Sequence, residues 1–293
     1  MTLQEVERLI TDNHYISDDQ ITMSVYLSIT LNKPILVEGP PGVGKTEIAK
    51  VLAAGLETEL IRLQCYEGLD VSQSIYEWNY QRQLLHLKMD DSDQTLAQKE
   101  QTIFSEKFLL KRPLLQAISK EKPPVLLLDE IDRADEEFES FLLELLSDYQ
   151  ISIPELGTIK ASSIPHVILT SNRNRELSEA LRRRCLYLWI DFPDFEKEKK
   201  IVEHKLPQIN KHLAAQIVYF MQELRKQRLQ KSPGIAETLD WALALSSMHF
   251  EELDKDIIES TLGIVIKDWQ DTRQTQDSLG ELFEKVKVKM KVH

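Results

Sequence analysis

Residues 35–46 of this chain read Ile35-Leu36-Val37-Glu38-Gly39-Pro40-Pro41-Gly42-Val43-Gly44-Lys45-Thr46. The stretch is a complete G-x-x-x-x-G-K-T pattern between an apolar run and a helical pattern that continues to Leu56. A strand that feeds a glycine-rich loop and then a helix N-terminus presents free N–H groups that cradle phosphates. In this arrangement Lys45 reaches the β- and γ-phosphates, and the Thr46 hydroxyl binds Mg²⁺. The pattern therefore predicts a nucleotide-binding site formed by Gly39, Pro40, Pro41, Gly42, Val43, Gly44, Lys45, Thr46 and Glu47.

A pair of acids, Asp129-Glu130, follows the fully apolar run Val125–Leu128. Such a run is typical of a central parallel strand, and acids at its carboxyl end lie at the ligand edge of the sheet. Asp129 there can hold Mg²⁺, and Glu130 can polarise an attacking water as a general base. An acidic helix cap is the alternative interpretation, but the complete phosphate loop favours an ATPase.

The composition limits the class of protein. A chain of 293 residues suits a large α/β domain and a smaller one. The net charge of −12 argues against a general role on nucleic acid or anionic membranes, although it is compatible with a local basic patch. No apolar run approaches the ~18 residues of a membrane span, and no signal peptide is evident, so we expect a cytoplasmic protein. Cys65 and Cys185 form no C-x-x-C pair and are predicted to be small buried thiols.

The segment Asp191-Phe192-Pro193-Asp194 marks a domain boundary, after which the sequence is mostly helical. Residues 1–192 are predicted to form the α/β domain, and residues 193–293 a helical domain. Phe104–Lys120 has helical spacing, Ile151–Ala161 alternates as a hairpin does, and the polar stretch Met89–Glu100 suggests a solvated connection or a helix. The predicted helices of the second domain are Phe195–Lys205, Leu213–Gln227, Ala236–Ser247 and Leu253–Trp269.

The C-terminal tail, Lys285–Val292, alternates lysine with apolar residues. This alternation predicts a terminal edge strand whose lysines prevent aggregation. A basic binding tail is the less favoured alternative.

The glycine-rich motif Gly39–Thr46 resembles the Walker A motif of AAA+ ATPases. The acidic motif Asp129–Ala134 resembles their Walker B motif. The resemblance implies a P-loop AAA+ three-layer α/β/α domain with a central parallel sheet, followed by a smaller helical lid. Asn172, at the end of Leu169-Thr170-Ser171-Asn172, matches the family's sensor 1, which positions water near the γ-phosphate. A turn residue is the simpler interpretation of an isolated Asn at a strand end.

A cluster of arginines in Leu181-Arg182-Arg183-Arg184-Cys185 matches the region where AAA+ proteins carry an arginine finger. A cation supplied by a neighbouring subunit stabilises charge during phosphoryl transfer. Arg184 is the first candidate and Arg183 the second. The alternative is a solvated basic helix end that complements the helix dipole.

Four further stretches are similar to the MoxR branch of AAA+, and most like its subgroup associated with carbon monoxide dehydrogenase maturation: Cys65–Asp70, Tyr76–Tyr80, Leu181–Trp189 and Pro233–Trp241. The resemblance implies an insertion near 69–88 and a hairpin near 151–165 before sensor 1, both facing the pore of a ring and a client. Trp78 and Tyr80 are equally compatible with client contacts and with buried anchors.

The chain departs from many MoxR relatives after Ser232-Pro233, where Gly234 stands in place of the sensor 2 arginine. No arginine occurs in Gly234–Trp241. Either sensing by the lid is weak, or another residue such as Arg228 serves.

The resemblance implies a chaperone that hydrolyses Mg-ATP and remodels a client protein or helps a metalloenzyme to mature. It also implies a homo-oligomeric ring, a hexamer, in which Arg184 acts on the neighbouring subunit, and a partner with a von Willebrand A domain. No nucleic acid is expected. Two alternatives share the fold: a nucleic-acid motor or loader, against which the acidic balance speaks, and a nucleotide-dependent binding switch, against which Glu130 and Asn172 speak.

Overall fold

The computed structural model describes residues 1–89 and 95–290, which form nine strands and fourteen α-helices. The main sheet consists of β1 (Ile35–Glu38), β2 (Leu60–Gln64), β5 (Val125–Asp129), β8 (His166–Ser171) and β9 (Leu186–Trp189). Its order is β2-β5-β8-β1-β9, and all of its neighbouring strands are parallel. Every residue of β1 and β5 is buried. A strand that is covered on both faces needs a continuous apolar sequence, which is why these runs predict central strands.

Two helices that precede the sheet and one that follows β5 begin at side-chain caps. Thr2 caps α1 (Leu3–Asp12), Asp18 caps α2 (Asp19–Leu31) and Asp135 caps α8 (Glu136–Asp148). Each cap oxygen accepts a hydrogen bond from an otherwise unpaired N–H of the first turn. The other helices before residue 190 are α3 (Lys45–Gly55), α4 (Val71–Ser74), α5 (Tyr80–Met89), α6 (Leu96–Ile103), α7 (Pro113–Ile118) and α9 (Glu179–Arg182).

Two small antiparallel pairs lie outside the main sheet. One joins β3 (Tyr76–Trp78) to β4 (Leu109–Lys111), and the other joins β6 (Gln150–Ile153) to β7 (Gly157–Lys160). The second pair is the hairpin that the alternation around Gly157 predicts. Gly157 has a φ of 80°, a conformation that glycine adopts without steric cost.

The prediction of helical structure over Phe104–Lys120 is wrong for the first part of this segment. The segment contains a 3₁₀ turn (Glu106–Phe108), then β4, and only then the helix α7. Pro113 starts that helix because it has no N–H to donate and its φ suits the first helical position. The pairing of β4 with β3 depends on contacts distant in sequence, which periodicity does not report. The polar stretch 89–100 lies partly outside the described residues, which resume at Thr95 before α6.

The chain forms two compact units. Among the described residues, the first contains residues 1–13, 17–38 and 46–189, and the second contains residues 14–16, 39–45 and those from Ile190 on. The main sheet and its helices confirm the predicted α/β class with a central parallel sheet. The division of the chain at residue 192 stays a prediction, because the phosphate loop Gly39–Lys45 groups with the second unit.

The second unit is helical after residue 190, with α10 (Phe195–Lys205), α11 (Lys211–Arg225), α12 (Ile235–Ser247), α13 (Lys255–Val265) and α14 (Trp269–Met290). Its core centres on Trp241, which is fully buried and packs on Phe220 with ring centroids 5.2 Å apart. The indole N–H of Trp241 donates to Thr261 Oγ1 at 2.8 Å, so the buried ring has its polar atom paired. The described part of the chain contains no helix long and apolar enough to cross a membrane.

The described part of the C-terminal tail, residues 285–290, is helical, and here the prediction of an edge strand over 285–292 is wrong. Helix α14 continues to Met290, and Leu279, Leu282 and Val286 are buried. Apolar residues three and four positions apart form one helical stripe, and this period prevails over the short alternation of lysine and valine. Residues 291–293 lie outside the described part.

Candidate active site

The phosphate loop joins the end of β1 to the start of α3 and depends on two glycines with positive φ. Gly42 has a φ of 76° and Gly44 a φ of 90°, in the region that side chains rarely adopt. A Cβ placed on Gly44 would meet nothing within 4 Å, so its backbone borders open space. An exposed turn of loop backbone at a helix N-terminus is the form of a phosphate cradle.

Lys45 is buried and folds back over the loop to which it belongs. Its Nζ donates to Gly39 O at 2.8 Å and to Pro40 O at 2.7 Å. A buried ammonium group attracts anions strongly, because the low dielectric around it weakens charge interactions less than water does. The loop therefore carries a positive charge where the predicted phosphates bind.

Thr46, the next residue, connects the start of α3 to the end of β5. Its hydroxyl donates to Asp129 Oδ1 at 3.0 Å, and the hydroxyl of Thr170 donates to the same oxygen at 2.5 Å. The other oxygen, Oδ2, accepts from Arg62 Nη2 at 2.6 Å and from Arg62 Nε at 3.0 Å. The Asp129 side chain is 5% exposed, so this carboxylate is buried and fully hydrogen-bonded.

The oxygens at this point fit a magnesium ion. A carboxylate and a hydroxyl lie in direct contact, and Mg²⁺ commonly takes one or two carboxylates together with substrate phosphates. Thr46 and Asp129, the two predicted metal ligands, are therefore brought together.

Glu130 is held by three neighbours. Its Oε2 accepts from Gln64 Nε2 at 3.0 Å and pairs with Arg133 Nε at 3.0 Å. Its Oε1 accepts from Asn172 Nδ2 at 3.3 Å, so the predicted base and the predicted sensor are in contact. The backbone of Glu130 has a φ of 55°, and its N–H donates to Thr170 Oγ1 at 2.9 Å. A non-glycine residue in the left-handed region is strained, and such residues are frequent at functional sites.

Four residues of this network escape the sequence analysis: Arg62, Gln64, Arg133 and Thr170. Arg62 and Gln64 alternate with the buried Ile61 and Leu63 on β2, so their side chains share one face of the strand. Their alternation was a visible signal. That β2 lies next to β5, which brings this face to the two acids, was not visible in the sequence.

The arginine cluster follows α9, and its members differ in their contacts. Arg183, the residue after α9, is exposed and pairs with Glu179 at the start of that helix. Arg184 is only partly exposed and donates to Ser147 Oγ and, at 2.8 Å, to Ala180 O. Either side chain would have to leave these contacts to reach a neighbouring subunit, and the arginine-finger role stays a prediction.

Glu47 also stays a prediction as a nucleotide contact. It lies in the first turn of α3, and one of its oxygens pairs with Lys50 Nζ at 3.0 Å.

The departure at Gly234 has a steric reason. A Cβ on Gly234 would lie 2.7 Å from Gly42 Cα and 2.8 Å from Gly42 O, so the two glycines touch backbone to backbone. The N–H of Ile235 donates to Gly42 O at 2.8 Å, which fixes the start of α12 on the phosphate loop. Any side chain at position 234 would push this segment away from the loop.

A buried arginine, Arg225, supports the same segment, and the sequence analysis did not select it. It donates to Pro233 O at 2.7 Å and forms a bidentate ion pair with Glu198, with hydrogen bonds of 2.6 and 2.7 Å. The pair is almost completely buried, so both charges depend on each other. Arg228, the candidate named from the sequence, is exposed.

The aromatic residues Trp78 and Tyr80 take different roles. Trp78 is buried and packs edge-on against Phe104, with ring centroids 5.3 Å apart. Tyr80 is 62% exposed at the start of α5. Trp78 is therefore an anchor of this region, while Tyr80 remains accessible to a partner.

Both cysteines are free thiols. Cys65 is buried and Cys185 is half-buried. Burial raises the pKa of the Cys65 thiol to about 12, with a further contribution from the nearby Asp129. Burial likewise raises the pKa of Cys185 to about 12. Neither thiol is activated for nucleophilic or metal chemistry.

Comparison with known proteins identifies a family for the part of the chain that contains the phosphate loop and Asp129-Glu130. Residues 34–185 match the family described as AAA domain (dynein-related subfamily). An uncharacterised protein of Staphylococcus haemolyticus is 28% identical over 259 residues, which cover 84% of this chain and 91% of the relative. An uncharacterised protein of Staphylococcus aureus is 30% identical over 255 residues, which cover 83% of this chain and 89% of the relative. Among solved structures, a point variant of RuvB from Thermotoga maritima is similar in fold, with a TM-score of 0.51 and 18% identity over 97% of this chain and 78% of that one.

Proposed function

Because the chain belongs to the AAA domain family, dynein-related subfamily, we propose that it binds Mg-ATP at the loop Gly39–Lys45 and hydrolyses it with Glu130 as the general base. The observation that carries this proposal is the hydrogen bond between Thr46 and Asp129. It connects the residue after the phosphate loop to the acid beside Glu130.

Binding of the nucleotide depends on the loop and on the two oxygen ligands beside it. The loop N–H groups and Lys45 would bind the phosphates. Thr46 and Asp129 would hold Mg²⁺, which neutralises phosphate charge when it is bound.

Hydrolysis depends on Glu130, which would accept a proton from the attacking water. Asn172 and Gln64 hold its two carboxylate oxygens from neighbouring strand ends, which supports a fixed orientation for this base. Asn172 would in addition orient the water. These contacts favour turnover over a passive binding switch.

We propose the MoxR branch for this chain and, within it, a remodelling chaperone that acts on a client protein or metalloenzyme. Support comes from the sequence resemblance and from the hydrogen bond between Ile235 and Gly42, through which a change in the loop would reach α12. A hexameric ring would bring Arg184, or Arg183, to the nucleotide of the next subunit. A von Willebrand A domain protein is the proposed partner, and the similarity to the carbon monoxide dehydrogenase subgroup suggests a metalloenzyme client.

The test of the proposed chemistry is the variant Glu130→Gln, with Glu137→Gln as its control. Glu137 is an exposed acid in the first turn of α8, so it reports the general effect of the substitution. We expect Glu130→Gln to bind ATP with normal affinity and to hydrolyse it about 10²- to 10⁴-fold more slowly, because the base is lost. Glu137→Gln should hydrolyse ATP normally. Hydrolysis by Glu130→Gln at a near-normal rate would remove Glu130 from the mechanism.

The proposed partner calls for a separate test. We expect a von Willebrand A domain protein from the same organism to associate with Glu130→Gln in ATP more strongly than in ADP. Equal association in both nucleotides, or none, would contradict the chaperone assignment and leave the ATPase assignment intact.

A further inference from the structure

We propose that Arg62 is a positioning residue that holds Asp129 and occupies one oxygen of the carboxylate that would bind Mg²⁺. The inference rests on the proposed function, since it concerns the same nucleotide site. Arg62 would act as a resident cation that the metal displaces, so it would set the Mg²⁺ concentration at which the site fills.

The contacts of Asp129 divide between its two oxygens. Oδ1 accepts from the hydroxyls of Thr46 and Thr170, and Oδ2 accepts twice from Arg62. A buried carboxylate is costly without a cation or several hydrogen bonds, and Arg62 supplies a cation and two of the bonds. Arg62 and the two threonine hydroxyls therefore orient the Asp129 carboxylate.

Arg62 is also the member of this group that can leave. Its side chain is 53% exposed, and β2 lies at one edge of the main sheet. When Arg62 leaves, its guanidinium regains water and the incoming metal ion replaces it as the cation beside the buried Asp129. Thr46 and Thr170, in contrast, are fixed in α3 and β8. When a divalent ion binds Asp129, repulsion between like charges favours release of the guanidinium.

Release of Arg62 would also affect Glu130. Arg62 Nη2 donates to Gln64 Oε1 at 2.6 Å, and Gln64 Nε2 donates to Glu130 Oε2 at 3.0 Å. A chain of hydrogen bonds therefore connects Asp129 to Glu130 through the two β2 side chains. Loss of the first bond would free Gln64 to move, and with it one of the contacts that hold Glu130.

The experiment is a Mg²⁺ titration of the binding of a fluorescent ADP analogue, from an EDTA baseline. Arg62→Gln and Arg62→Met remove the charge, and Arg62→Lys keeps it. Arg112→Gln is the matched control, because Arg112 is also half-exposed and pairs with a carboxylate, that of Glu77, outside the site.

We expect both charge-free variants to reach half-saturation at roughly a tenfold lower Mg²⁺ concentration than the unaltered protein, because a competing cation has been removed. For Arg62→Lys, the Mg²⁺ concentration at half-saturation should stay within about threefold of that of the unaltered protein. The charge remains in this variant, although one of the two hydrogen bonds to Asp129 is lost. Arg112→Gln should not differ from it. An unchanged or higher Mg²⁺ requirement in the charge-free variants would overturn the inference.

A second readout needs no nucleotide. Mg²⁺ alone should raise the melting temperature of Arg62→Gln and Arg62→Met more than that of the unaltered protein or of Arg112→Gln, because the metal meets an unoccupied carboxylate oxygen. Equal shifts in all four proteins would overturn the inference even if nucleotide binds. If the protein binds no nucleotide but Mg²⁺ raises the melting temperature more in the charge-free variants, the result would support the positioning role of Arg62 and contradict the proposed function.

Discussion

At the scale of single residues, the site is defined by how Glu130 is held. Its backbone occupies the left-handed region, which costs about 1–3 kcal/mol for a residue with a side chain. The surrounding contacts from Gln64, Arg133 and Asn172 stabilise that conformation. A flexible acid would not need this support, so the strain and the contacts together favour a base that must point in one direction.

Lys45 provides the first prediction at this scale. Lys45→Ala should weaken ATP binding by roughly a hundredfold or more, since charge-assisted hydrogen bonds to phosphate are lost. Equilibrium titration with a fluorescent ATP analogue measures the effect. Lys120→Ala is the control, because Lys120 pairs with Glu59 at 2.6 Å before the N-terminal ends of β5 and β2, at the opposite edge of the sheet from Asp129. Tight ATP binding by Lys45→Ala would contradict the assignment of the loop.

The two thiols provide the second prediction. With pKa values of about 12, Cys65 and Cys185 should react with a thiol reagent at pH 8 at least ~100-fold more slowly in the folded protein than in denaturant. Fast reaction of both thiols in the folded protein would contradict their burial.

The same shifts predict how stability depends on pH. The folded-state pKa of each thiol is raised above its ordinary value of 9.0, so each contributes stability that is fully present below pH 9. That contribution is lost as the pH rises from 9 towards 12. Denaturant unfolding of the Cys65→Ser variant should show a smaller loss of stability between pH 8 and pH 10 than the unaltered protein. An equal loss in both proteins would contradict the contribution of Cys65.

The residues that could be predicted are those that local motifs specify. The loop and Asp129-Glu130 are adjacent to strands that their own apolar sequences identify, so their positions follow from the chain. Arg62, Gln64 and Thr170 could not be predicted, because their roles depend on β2 and β8 lying on either side of β5. Strand order is set by packing between segments that are distant in sequence.

At the scale of elements, α14 shows how a short pattern can mislead. The alternation at Lys285–Val292 covers eight residues, whereas the helix that contains most of it has 22. Leu279, Leu282, Phe283 and Val286 form the buried stripe of that helix. The longer period determines the structure because it buries more apolar surface.

A pair of valines distinguishes the helix from the strand. In a strand, Val286 and Val288 would lie on the same face, whereas in α14 Val286 is 1% exposed and Val288 is 61% exposed. Val286→Ala should therefore lower the free energy of unfolding by about 1–3 kcal/mol. Val288→Ala should change it by less than about 0.5 kcal/mol. Denaturant unfolding measures both, and equal losses would favour the strand.

At the scale of the whole molecule, the class of fold could be predicted, and the contact between the phosphate loop and Gly234 could not. Buried apolar runs and a helical C-terminal third indicate an α/β fold with a helical region. Gly39–Lys45 lies in the same unit as the helices after Ile190, and within that unit Gly42 contacts Gly234. Two glycines that meet backbone to backbone leave no trace in apolar periodicity.

The arginine cluster leads to a prediction about the proposed ring, in which one subunit supplies an arginine to the next. Arg184→Ala should bind ATP almost normally and hydrolyse it at least ~100-fold more slowly, because the cation that stabilises phosphoryl transfer is lost. Mixing it with Lys45→Ala should restore part of the activity, since a Lys45→Ala subunit can supply Arg184 to an intact neighbouring site. The same experiment with Arg183→Ala decides between the two arginines. No recovery with either variant at any mixing ratio would argue against a shared site.

The most direct measurement is the rate of ATP hydrolysis per subunit in Mg²⁺, followed over a range of protein concentrations with the mass of the assembly recorded in parallel. We predict hydrolysis that rises steeply as the mass of the assembly increases, because in the proposed shared site each nucleotide would need Glu130 from one subunit and an arginine from the next. Hydrolysis at the same rate per subunit in a monomer would contradict the shared site, and no hydrolysis at any concentration would contradict the ATPase itself.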